Sequence, residues 1–251
     1  MTDTMRALTV ALALLLCLPA AAAEEEGAAW MHEAHIDLGN RASLQRGAKY
    51  YVNYCLGCHS ARYVRYSRVG TDLGIDSQQL ATNLMFTADK PQQTMDIAMP
   101  PADAKRWFGR APPDLSLAAR SRGPDWIYNY LTTFYLDPGK PWGVNNLVLP
   151  NAAMPHVLWE LQGTQRALFR EEKDAAGHAH PVFERFEPVA QGRLTAEQYD
   201  GVVRDIVNFL AYIGEPGQLE RRSLGLRVLA FLGVLFALAY ALKKEFWKDV
   251  H

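Results

Sequence analysis

The sequence predicts a mainly α-helical domain with long loops, a pair of segments that could form a β-hairpin, and one transmembrane helix at the C-terminus. Three observations predict it. Apolar residues recur at helical spacing ahead of a cysteine pair near residue 55 and again between Thr195 and Gly214; the stretch between is punctuated by Pro and Gly; and an apolar run extends from Leu224 to Leu242. The chain has 251 residues, 49% of them hydrophobic, enough to bury a full-sized core in one domain. With 26 basic and 27 acidic residues it has no electrostatic footprint for nucleic acid, and that class of partner is set aside.

The first helix runs from Arg41 to Tyr54, where Leu44, Ala48, Tyr51, Val52 and then Cys55 repeat at three- and four-residue spacing. Gly47 on this helix would permit another helix to cross closely. The second begins at Thr195, which with Gln198 forms a capping box, and continues through Val203, Ile206, Val207, Leu210 and Ile213 to a stop at Gly214 and Pro216. Between them lie Met99-Pro100-Pro101 and Ala111-Pro112-Pro113, with a shorter helix from Pro124 to Tyr135. Such loops suit wrapping a large flat cofactor better than building a regular sheet. Val157 to Phe169 and Val182 to Val189, on either side of the charged stretch Glu171 to His180, could pair as a hairpin. His178 and His180 could bind metal, but exposed loop histidines are usually only that.

The two ends read as an export signal and an anchor. Residues 1–23 carry Arg6, an apolar run from Ala7 to Ala20 and the small residues Ala21, Ala22 and Ala23 ahead of Glu24, the pattern of a signal peptide cleaved after Ala23. A first membrane span is the weaker reading, because the run is short; Cys17 lacks the small residue a lipoprotein signal needs before it. At the other end, Leu224 to Leu242 matches a bilayer in length, and Arg227 can snorkel. Basic residues flank both sides, so orientation rests on the signal peptide. The expected division is an exported domain over residues 24–220, an anchor over 221–243 and a cytoplasmic tail over 244–251.

Cys55-Leu56-Gly57-Cys58-His59 carries the chemistry. Cys-x-x-Cys-His is the attachment signature of a c-type haem. Two thiols one helical turn apart can each add to a vinyl group, and the histidine that follows is carried under the iron. A thioredoxin-like pair would need alternating strands and helices, a structural zinc a second ligand pair, and a disulfide a strained short loop. One motif means one covalent haem, and the fold class sharpens to a cytochrome c-like haem domain. For the second axial position a methionine thioether suits electron transfer. Met99-Pro100 and Met154-Pro155 are the candidates, ahead of Met85 and Met95. Spacing from His59 favours Met99 if the domain were a small soluble cytochrome.

The ordered set of motifs resembles the cytochrome c1 family. It comprises the Arg46-Gly47 helix before Cys55 to His59, Ala111-Pro112-Pro113-Asp114-Leu115-Ser116, Ala153-Met154-Pro155, Asn208-Phe209-Leu210 running to Glu215-Pro216, and the anchor from Gly225 to Lys244. The resemblance implies that the Pro-Pro-Asp-Leu-Ser segment, with Pro113, packs against the haem and precedes the axial methionine, which selects Met154. It also implies an arginine for a haem propionate, Arg120 or Arg122, with an aromatic behind it, Trp126. The chain departs from the family in following Met154 with Pro155-His156-Val157 instead of more prolines; a histidine in place of the thioether would lower the potential. The implied function is an electron relay beside cytochrome b, from a Rieske iron-sulfur protein to a soluble cytochrome c, with membrane lipid around the anchor, in a bacterial inner membrane. Competing readings are a tethered cytochrome of a terminal oxidase, an independent shuttle, or a haem sensor or peroxide enzyme with an open iron.

Overall fold

The computed structural model describes residues 30–173 and 177–248; the predicted signal peptide lies outside them. In the unit from His32 onward, α1 (Arg41–Tyr50) is capped by the Asn40 side chain, which accepts from the Ser43 N–H. It runs into a π-helical turn, Tyr51–Cys55. The predicted helix is there, but its last turn is widened immediately before the haem motif, as such turns often are at functional sites. A long helix from late in the sequence, Ala196–Gly214, crosses it.

After the motif the chain forms β1 (Ala61–Arg65), a helix at Tyr66–Leu73, a helix at Ser77–Asn83 and β2 (Thr94–Met95), which pairs antiparallel with β1. Met85 and Met95 are buried at 8% and 0% exposure and fill the core. A helix at Pro101–Phe108, with Pro at its start, and a short helix at Ala118–Arg122 precede another at Pro124–Thr132. That last helix stops short of the predicted Tyr135. Phe134–Leu136 instead forms β3, antiparallel to β4 (Val144–Asn146). The Thr133 hydroxyl bonds the Asn129 carbonyl at 2.7 Å, a side-chain competitor for the backbone where the helix ends.

The hairpin is present but displaced. Residues Trp159–Gln162 make a helical turn, and the strands are β5 (Gly163–Lys173) and β6 (Ala179–Gln191), so much of the charged stretch assigned to the loop is strand. The register irregularity at Leu168/Phe169 brings Phe183 and Phe186 together, ring centroids 4.7 Å apart, with Phe169 6.2 Å from Phe183. His180 pairs opposite Glu172, and no cluster of three or more His, Cys, Asp or Glu that could hold a metal occurs among the described residues.

The long partner helix, Ala196–Gly214, has the predicted capping box between Thr195 and Gln198. It crosses α1 at Gly47, where a Cβ would lie 2.0 Å from the Asp205 carbonyl oxygen. Around the crossing, the Ser43 hydroxyl donates to Asp205 at 2.6 Å, Arg46 donates to both Asp205 oxygens at 2.6 and 2.8 Å, and the Asn208 amide donates to Ser43 at 2.7 Å. A buried carboxylate is tolerated because it is paired and hydrogen-bonded. The core spreads from here through Leu44, Tyr51, Val203, Ile206, Val207 and Phe209.

The final helix spans Gln218–Phe246. In the 23-residue segment Leu224–Phe246, the most apolar 18-residue window has mean hydropathy 2.1 and none of it is buried against the protein. At 1.5 Å per residue this is about 34 Å, against roughly 30 Å of bilayer hydrocarbon. A soluble core helix would be covered; this one is bare on every side.

Candidate haem site

The π-helical turn delivers the motif. The Leu56 N–H reaches back five residues to the Tyr51 carbonyl at 2.8 Å, and the His59 N–H then bonds the Cys55 carbonyl at 2.8 Å. Cys55, Cys58 and His59 therefore sit on one compact turn. Both cysteines are free. Burial pushes the Cys55 thiol up to about 12 and raises that of Cys58. Redox-active and metal-binding cysteines need the opposite shift. Side by side on one helical turn, the two thiols are placed to reach the two vinyl groups of one haem.

His59 is held by backbone. Its Nδ1 lies 2.7 Å from the Pro113 carbonyl oxygen. A carbonyl only accepts, so Nδ1 carries the proton and Nε2 keeps its lone pair free for a metal. Burial, the largest influence, lowers the imidazole pKa and keeps the ring neutral. This is the donor state an axial ligand requires, and the residues present fit a c-type haem.

The Pro113 carbonyl is fixed by a zipper between two segments over 50 residues apart. The Leu115 N–H bonds the Ser60 carbonyl at 2.8 Å, and the Asp114 carboxylate accepts from the N–H groups of Arg62 at 3.0 Å and Ser116 at 2.8 Å. Ser116, with no exposed surface, accepts the Tyr63 N–H at 3.1 Å. The Tyr51 hydroxyl adds a bond to the His59 carbonyl at 2.7 Å. Sequence reasoning named Pro113 but missed the roles of Tyr51, Asp114 and Ser116. The one available signal was the conjunction of a turn-forming Asp and Ser directly after two prolines.

Among the predicted partners, Arg122 lies over Trp126, 5.1 Å from the ring centroid, and begins an aromatic column. Trp126 stacks on Tyr130 at 5.1 Å, Tyr130 meets Phe134 edge-on at 5.2 Å, and Phe134 stacks on His156 at 5.0 Å. The spacing of 126, 130 and 134 carried this signal, unread. Arg120 points elsewhere, 3.8 Å from Glu215. Met154 is half-buried and packs on the core; Met99 is half-buried in the loop ahead of Pro101–Phe108 and does not pack on that core. His156 is buried, and burial lowers its pKa to about 4, so it is neutral. Its Nε2 and the Gln162 Oε1 face one another without a bond of good geometry.

A profile of the Cytochrome C1 family matches residues 30–250. The chain belongs to the cytochrome c1 family. It is 51% identical to a cytochrome c1 of Allochromatium vinosum over 98% of this chain and the whole of that one. It is 40% identical, over the same shares, to a Nitrosomonas europaea protein called ammonia monooxygenase gamma subunit. A cytochrome c1 of Rhodospirillum rubrum is 30% identical over all of this chain and 99% of its own. As a cytochrome c1, the chain is a membrane-anchored, haem c-carrying electron-transfer subunit of a bc1-type respiratory complex, and its bare apolar helix agrees with that anchoring.

Proposed function

We propose that this cytochrome c1 binds a single haem c through thioether bonds from Cys55 and Cys58, with His59 and Met154 as axial ligands. The observation that carries the reading is the 2.7 Å contact between His59 Nδ1 and the Pro113 carbonyl, which leaves Nε2 free on the turn holding both thiols. When bound, haem supplies a one-electron ferric–ferrous couple. The chain's own residues set its surroundings: Pro113 fixes the imidazole, Met154 offers a thioether that favours ferrous iron, and Arg122 with Trp126 offers charge to a propionate. Arg120 is the second choice for that role, because it is engaged near Glu215.

Electrons arrive from a Rieske iron-sulfur protein beside cytochrome b and leave to a soluble cytochrome c. The haem domain, residues 24–220, stands on the periplasmic side of a bacterial inner membrane once residues 1–23 are removed. Residues 221–243 anchor it in membrane lipid, and residues 244–251 face the cytoplasm. The relative named as an ammonia monooxygenase subunit raises a second assembly for the same haem domain. Co-purification separates the two: cytochrome b and Rieske subunits are expected with this chain.

Haem staining of a denaturing gel tests the attachment. Wild-type chain should stain, and the double substitution Cys55→Ala, Cys58→Ala should not. Stain persisting in the double variant would sink the assignment.

A further inference from the structure

A band of exposed tryptophans and unpaired cations joins the two ligand-bearing segments. Trp107, near the end of the helix Pro101–Phe108, is 53% exposed, and Trp142, at the tip of the β3–β4 hairpin, is 42% exposed. Phe108 bridges the two elements, its ring 5.6 Å from that of Trp142. One end of the band runs through Arg110 into Pro113, the residue that holds His59. The other runs down the β3–β4 hairpin to Phe134, stacked on His156, two residues from Met154.

The band is rich in cations. Lys105 and Arg110 are exposed, Lys140 is half-exposed, and none has a side-chain ion pair among the described residues. The acids beside them are engaged: Asp103 by Arg106 at 2.9 Å, and Asp137 by the Gly139 N–H at 3.1 Å and the Asn145 amide at 3.0 Å. Several arginines on other faces are paired, Arg62 with Asp96, Arg193 with Glu160 and Arg221 with Glu215. With Arg106, Asp103 and Asp137 counted, the band carries four cations against two carboxylates, a net positive charge in a chain whose net charge is −1.

We propose that this face docks a soluble redox protein with an acidic patch around its own redox centre. The proposal rests on the electron-relay reading above and specifies the charge of the acceptor. Tryptophan and arginine are the residue types that dominate binding energy at interfaces, and unpaired cations steer an anionic partner at long range. An acceptor seated here would lie between the His59 and Met154 segments.

The test uses the intact membrane complex with two probes, a plant plastocyanin as the acidic oxidant and a mitochondrial cytochrome c as the basic one. The wild-type complex should pass electrons to plastocyanin faster at low salt, with the rate falling as ionic strength rises. The double substitution Lys105→Glu, Arg110→Glu should slow that transfer about tenfold or more and leave cytochrome c reduction equal or faster. Trp107→Ala should raise KM for plastocyanin with the salt slope unchanged. Quinol-driven haem reduction without acceptor should be equal in all variants; its failure in the wild-type complex would overturn the electron-relay reading instead. An unchanged plastocyanin rate in the charge-reversed variant overturns the docking proposal. So does loss of quinol-driven reduction in that variant alone, which would assign the face to a membrane partner.

Discussion

The two sides of the haem site are built differently. The His59 side is a lattice of backbone hydrogen bonds: His59 to Pro113, Leu115 to Ser60, Arg62 and Ser116 to Asp114, and Tyr63 to Ser116. The Met154 side is held by packing and stacking, with His156 against Phe134 and the Asn151 N–H on the Asn145 side chain at 2.7 Å. One proposed ligand is fixed by directional contacts across distant segments, the other by the shape of what surrounds it. The difference teaches that His59 is pre-oriented by hydrogen bonds to the polypeptide, whereas Met154 is placed by apolar packing.

The hardest way to break the lattice side is Gly47→Val. With even a Cβ 2.0 Å from the Asp205 carbonyl, the helix bearing the motif must separate from its partner. We expect a loss of about 4 kcal/mol or more in denaturant unfolding, or no folded domain. Met154→Lys should leave the fold in place, lower the reduction potential by on the order of 100 mV or more and abolish quinol turnover. Met99→Lys should leave the potential nearly unchanged. The reverse pattern in redox titration would move the axial ligand to Met99.

Ser116→Ala removes the side-chain acceptor of the Tyr63 N–H at a fully buried position and should cost about 1–3 kcal/mol. His156→Phe replaces a stacked ring that lacks a well-formed bond and should change stability at pH 7 by less than about 1 kcal/mol. If the two substitutions cost the same, the contrast between the sides fails.

The helices carrying Gly47 and the Thr195 capping box were legible because their apolar spacing coincides with a buried face. The hairpin was legible in kind but not in extent: Glu171, Glu172 and His180 read as loop, yet strand pairing satisfies their backbone while their side chains remain in water. Phe134 lies inside the helix predicted from Pro124 to Tyr135, but pairing with Asn146 makes it strand. At the site, Cys55, Cys58 and His59 speak through spacing alone. Asp114 and Ser116 do not, because their partners Arg62 and Tyr63 are more than 50 positions away.

That the contact on His59 comes from a main-chain carbonyl has an evolutionary consequence. Every residue type carries the same carbonyl, so no single replacement at position 113 deletes the acceptor chemically; it can only displace it. Drift at that position is buffered, and selection for imidazole orientation falls instead on Asp114 and Ser116, whose side chains hold the path of the chain. Loss of the correct tautomer should therefore arise by mutation next door to the proline sooner than at the proline itself.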